Sequence, residues 1–160
     1  MPKFAIYNAP DEKTLELMVK NADPIVKKEE IILKSLPCPQ CQAPAPKRSI
    51  GERHLWDYGD ERQLRPVQIH LQFSRHRCSR CKGKYFCPDT THIAPPGAHY
   101  THRVINHAIR LVVEDNIAYR PASWNLWRDH AVFVPFATIQ NWVEAAGKKS
   151  QDAHSSTRVH

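Results

Sequence analysis

In the stretch "PVQIHLQF" apolar and polar residues alternate, placing Val67, Ile69, Leu71 and Phe73 on one side of an extended chain and Gln68, His70 and Gln72 on the other. This period of two predicts a half-buried strand. The preceding "RHLWDYGDERQLRP" supplies a second extended run with a turn signal at Gly59-Asp60, and "KYFC" a short third strand. Upstream, Leu15, Met18 and Val19 have helical spacing and "KEEIILKSL" reads as a short strand.

After residue 100 the period changes. Thr101 is placed to cap a helix running to about Asn116, with Val104, Ile105, Ala108, Ile109 and Val112 on one face. "RPASWNLWRDH" starts a second helix near Pro121, with Trp124, Trp127 and Ala131 on one side. A turn of about four residues then leads to a third, from Pro135, with Ile139, Trp142, Val143 and Ala146 inward and Gly147 as its stop. Between the β and α patterns, "CPDTTHIAPPGAHY" has the composition of a linker. The fold class expected is α+β, a small antiparallel β module followed by three helices.

Cysteine spacing makes the β module specific. Cys38-Pro39-Gln40-Cys41 and Cys78-Ser79-Arg80-Cys81 are two C-x-x-C knuckles on either side of the predicted hairpin. Each knuckle can offer two thiolates to one tetrahedral ion, so the four cysteines are expected to hold one zinc. Four thiolates leave no open position on the metal, which makes its expected role structural. Gly83 is the residue expected to relax the second turn, and the fifth cysteine, Cys87, is expected to pack as a small hydrophobe. "PCPQC" also matches half of a zinc-deaminase signature, but no histidine among residues 1–37 supplies the other half, and that chemistry is not expected. Asp57, Asp60 and Glu61 read as a solvated hairpin tip, not a catalytic cluster.

Charge then points to a partner. The chain of 160 residues carries +7, with a pI near 9.3. Of this excess, +6 lies between Lys47 and Lys84, where ten Lys and Arg face four acids. Such a local surplus favours a polyanion, here double-stranded DNA, over a small-molecule substrate. Arg53, Arg75, His76, Arg77, Arg80, Lys82 and Lys84 are the expected backbone contacts in the β module, with Arg120, Lys148 and Lys149 in the helical part. The two-helix unit fits a helix-turn-helix, and Thr138, Gln140 and Asn141 on its last helix have side chains suited to base edges. No apolar run is long enough to cross a membrane and no secretory signal is present, so a cytoplasmic location is expected.

The order of "CPQC", "RHLWDYG", "VQIHLQFSRHRCSRC", "KYF" and "TIQNWV" resembles the N-terminal region of insertion-sequence transposases of the ISL-three type, over about residues 30 to 147. The resemblance implies a zinc ribbon and a helix-turn-helix that recognise transposon terminal repeats, with self-association on DNA as a further expectation. The RNase H-like catalytic domain of such transposases has no counterpart in these 160 residues, so DNA recognition without catalysis is expected, by the N-terminal part of a longer transposase or by a stand-alone relic of one. The expected divisions are an N-terminal extension with one helix (1–29), a zinc ribbon (30–88), a linker (89–100), a helix-turn-helix domain (101–147) and a disordered polar tail (148–160). A transcriptional regulator, or a zinc-ribbon adaptor that binds protein, uses the same parts and is the alternative.

Overall fold

The computed structural model describes residues 9–158, with side chains to Lys149. It is α+β, in the order α1 (Glu12–Asn21), β1 (Ile25–Ile31), β2 (Ser35–Pro37), β3 (Pro44–Asp60), β4 (Arg65–His76), α2 (His102–Val113), α3 (Tyr119–His130) and α4 (Phe136–Arg158). The strands form one sheet, ordered β1-β4-β3-β2. β3 and β4 are consecutive neighbours joined by residues 61–64, the hairpin expected from the alternation. β2 pairs antiparallel with β3, from Ser35 opposite Pro46 to Pro37 opposite Pro44.

Burial follows the period of two through Leu71 and then changes phase. Val67, Ile69 and Leu71 are buried, Gln72 and Phe73 are both half-buried, and Ser74 and His76 are buried in their turn. Gly51 explains where Phe73 goes. A Cβ on Gly51 would lie 2.5 Å from the Phe73 ring, so the ring occupies the space that the missing side chain leaves. The predicted third strand is reduced to a bridge between His76 and Phe86.

The chain divides into two compact units. One comprises residues 25–57 and 68–102 and holds most of the sheet; its core includes Ala45, Leu55, Ile69, Leu71 and Ala94. The stretch expected to be a linker belongs to this unit and is tied to β3. The Arg53 guanidinium donates to the carbonyls of Pro95 (2.6 Å) and Ala98 (2.7 Å), and Trp56 exchanges backbone hydrogen bonds with His99 and Thr101. The Thr101 hydroxyl donates to buried Asp57 at 2.8 Å. A proline-rich segment without regular structure is thus fixed by satisfying its carbonyls from a neighbouring strand.

The second unit contains α1, the hairpin tip and the helices after residue 103. Asp11 caps α1 by accepting the Thr14 N–H at 2.7 Å, and Leu15 is the buried residue of that helix. Along α2 the buried residues are Val104, Ala108 and Leu111; the first two lie on the expected face, while Ile105, Ile109 and Val112 of that face are half-buried. Leu126 and Trp127 of α3 and Ile139 of α4 are buried. Between α3 and α4, Ala131 adopts a left-handed φ of 50° and its N–H returns to the Trp127 carbonyl, while the Val132 N–H reaches Leu126. The Ser123 hydroxyl donates to the Val134 carbonyl at 2.6 Å and fixes this turn. α4 does not stop at Gly147 but continues to Arg158, so the tail expected to be disordered is helical over most of its length; residues 1–8, 159 and 160 lie outside the described range.

Candidate metal centre and its basic surround

Both C-x-x-C segments fold into the same turn. In the first, the Gln42 N–H bonds to the Cys38 carbonyl at 2.9 Å; in the second, the Lys82 N–H bonds to the Cys78 carbonyl at 3.0 Å. Gln42 (φ 64°) and Lys82 (φ 47°) both take the left-handed conformation. The relaxing residue of the second turn is therefore Lys82, and Gly83, expected there, is not used in this way. Strand pairing closes each turn at its base, Pro37 with Pro44 for the first and His76 with Phe86 for the second.

These turns bring the four sulfurs together. Cys38 Sγ lies 3.9 Å from Cys81 Sγ and Cys41 Sγ lies 3.6 Å from Cys78 Sγ, and all four are within 4.8 Å of one another. A tetrahedral site with metal–sulfur bonds of about 2.3 Å needs sulfur–sulfur edges of about 3.8 Å, so the donors fit a single ion. Cys38 and Cys78 are buried, Cys41 and Cys81 exposed. Cys87 is exposed as well, which removes it from the core position expected for it.

Local electrostatics prepare some of these thiols for metal. The Cys81 N–H, 3.5 Å from Cys78 Sγ, is the main cause that draws the Cys78 thiol down to about 6. Backbone N–H groups of Cys41 and Gln40 lower Cys38. Cys81 goes the other way, pushed up to about 12 chiefly by Cys41, because adjacent sulfurs cannot all be anionic without a cation among them. A divalent ion relieves that repulsion.

The second knuckle lies in a field of exposed cations: Arg75, Arg77, Arg80, Lys82 and Lys84. Tyr85, 48% exposed, organises two of them. The guanidinium carbons of Arg75 and Arg77 lie 5.3 and 5.6 Å from its ring centroid, and Arg77 also donates to the Lys82 carbonyl at 3.3 Å. His76 does not join this surface. It is 0% exposed, lies 3.0 Å from the Ala45 carbonyl and 2.8 Å from the Ser74 hydroxyl, and is a core residue, because Ala45 and the Phe86 ring, whose centroid is 6.0 Å away, pack against its side of the strand. Arg53 has its guanidinium committed to the Pro95 and Ala98 carbonyls.

In the helical unit, Arg120 is exposed and its guanidinium carbon lies 4.8 Å from the Phe136 ring centroid. Thr138 and Gln140 are half-buried at the start of α4, Asn141 is exposed, and the Gln140 amide donates to Glu144 at 3.1 Å. Lys148 and Lys149 are exposed further along the same helix.

A second cluster escaped the sequence reading. Glu52, His54 and His70 bring one carboxylate oxygen and two ring nitrogens within 4.8 Å of one another. Its signal was present in "GERH" and "QIHL", two polar faces of adjacent strands, but only the register of the hairpin makes them meet. Among the described residues no helix is long and apolar enough to cross a membrane. Comparison with protein-family models, with curated proteins and with solved structures gives no match.

Proposed function

We propose that this chain is a zinc-stabilised module that binds double-stranded DNA in a sequence-dependent way, recognising transposon ends. The observation that carries the reading is the exposed cationic surface built on the second knuckle, where Arg75 and Arg77 share the Tyr85 ring beside Arg80, Lys82 and Lys84. Cations held on a fixed frame neutralise phosphates at lower ordering cost than cations on a loose loop. Zinc is the ion assigned to the cysteine cluster, because four thiolates with edges of 3.6 and 3.9 Å suit a soft tetrahedral site that needs no redox chemistry.

Base reading is assigned to the α3–α4 pair, taken as a helix-turn-helix. Asn141 is its principal reader, since its side chain is exposed while the Gln140 amide is held by Glu144. Thr138 is the lesser contributor, and Arg120, Lys148 and Lys149 serve as phosphate contacts on this unit. No step of bond cleavage is assigned to any residue, and the place of action is the cytoplasm.

Selection of duplex DNA from a random pool by the metal-loaded protein tests the reading. Enrichment of one motif, and its loss on Asn141→Ala, is the expected result. Binding without enrichment would leave the basic surface as a nonspecific clamp, and no duplex binding at low salt would refute the function and favour a protein-binding adaptor.

A further inference from the structure

The cluster of Glu52, His54 and His70 has a chemistry of its own. Glu52 and His54 are two residues apart on β3 and therefore share a face; His70 stands beside them on β4. The His54 and His70 rings stack with centroids 4.0 Å apart and planes 10° from parallel. Glu52 Oε1 lies 3.1 Å from His54 Nε2 and 3.6 Å from His70 Nδ1. Two imidazoles and a carboxylate at this spacing lie near the ligand–ligand edges of a first-row metal ion, about 3 Å for bonds of about 2.1 Å.

Hydrogen bonding at His70 favours that reading. Its Nε2 lies 2.9 Å from Gln68 Oε1, so that nitrogen carries the proton and donates. On a neutral ring Nδ1 is then a bare lone pair 3.6 Å from a carboxylate oxygen, an arrangement that a shared cation accommodates. Gln68 thereby has the role of an outer partner that fixes the tautomer of a ligating histidine. Glu52 and His54 also line an open cleft of about 630 Å³ with Arg53, Gly97, Ala98 and His99, which gives an ion and its water ligands a route in.

We propose that Glu52, His54 and His70 form a second metal site, separate from the four cysteines, for a divalent first-row transition ion of the zinc, cobalt or nickel kind. Three protein ligands leave positions for water, in contrast to the closed thiolate site. Coordination requires the His54 ring to leave the parallel stack by rotation about its soft χ2 torsion while Gln68 keeps His70 in place, because nitrogen lone pairs lie in the ring plane.

Cobalt(II) titration of the full chain, followed by absorption, tests this. The first equivalent should give the intense sulfur-to-cobalt charge-transfer band of a thiolate site, and the second a weak visible spectrum with no added sulfur band. His54→Gln and His70→Gln should each abolish the second equivalent while keeping the first, whose thiolate band reports that the fold is intact. Gln68→Ala should weaken the second equivalent by about tenfold. A single equivalent in the unaltered protein, or a second one that survives both histidine substitutions, would overturn the proposal.

Discussion

The two cysteine knuckles share a backbone and differ in what surrounds it. Each closes with an N–H returned over four residues to the first cysteine's carbonyl, at 2.9 and 3.0 Å, and each has a left-handed residue at that position, Gln42 or Lys82. Around the first stand Pro37, Pro39, Gln40, Ala43 and Pro44; around the second stand Arg75, Arg77, Arg80, Lys82 and Lys84. Thiolate geometry is therefore indifferent to the surrounding charge. Charge compensation of the shared cluster does not by itself decide which knuckle carries the cations, since both contribute two sulfurs to it. Their concentration on one side is what a polyanion-binding surface requires.

The largest expected effect treats the knuckles as equals. Cys38→Ser and Cys78→Ser should each abolish tight metal binding and unfold the sheet-bearing unit, because metal binding of about 10 kcal/mol in comparable small sites is also folding free energy. Circular dichroism with and without a strong chelator measures this, and a fold that persists in either variant would break the equivalence. Acidification should act in the same direction. Cys81 holds its proton up to about 12 while Cys78 loses its own near 6, so metal uptake at neutral pH must expel protons and affinity must rise with pH. Metal retained unchanged after lowering the pH from 8 to about 5 would contradict the thiolate site.

The next effect separates the knuckles. Replacing Arg75 and Arg77 together with alanine should weaken duplex DNA binding and reduce the slope of log K against log salt by about 2, at nearly constant stability. Replacing Gln40 and Pro39 should leave DNA binding unchanged. The smallest effect returns to their likeness: Gln42→Gly and Lys82→Gly should each stabilise the metal-loaded protein by about 0.5 kcal/mol, since a left-handed conformation costs a side-chain-bearing residue about 1 kcal/mol and glycine loses part of that gain in chain entropy. Thermal melts of the two variants should shift by similar amounts.

The four cysteines were legible because spacing alone carries the chemistry, and the hairpin because alternation through Leu71 is unbroken. What failed was non-local. His76 reads as a surface residue if the alternation is extended past Leu71, and only its contacts with Ala45 and Phe86, from elsewhere in the chain, reveal that its side of the strand is buried there. The proline-rich stretch before α2 reads as a linker because its anchor, the Arg53 guanidinium, lies more than forty residues earlier in the chain. Gly147 reads as a helix stop, yet a mid-helix glycine costs only about 1 kcal/mol, too little to end α4. Glu52, His54 and His70 were three ordinary polar residues until the register of two strands placed them together.

The central claim is that a metal-fixed cationic surface on the second knuckle grips DNA. Its most direct test is the salt dependence of duplex binding by the metal-loaded chain, measured beside the Arg75→Ala/Arg77→Ala double variant. The account predicts a log–log slope near −7 for the unaltered protein, from about eight neutralised phosphates, falling to about −5 in the variant. Equal slopes for the two proteins, or binding that does not weaken with salt, would contradict it.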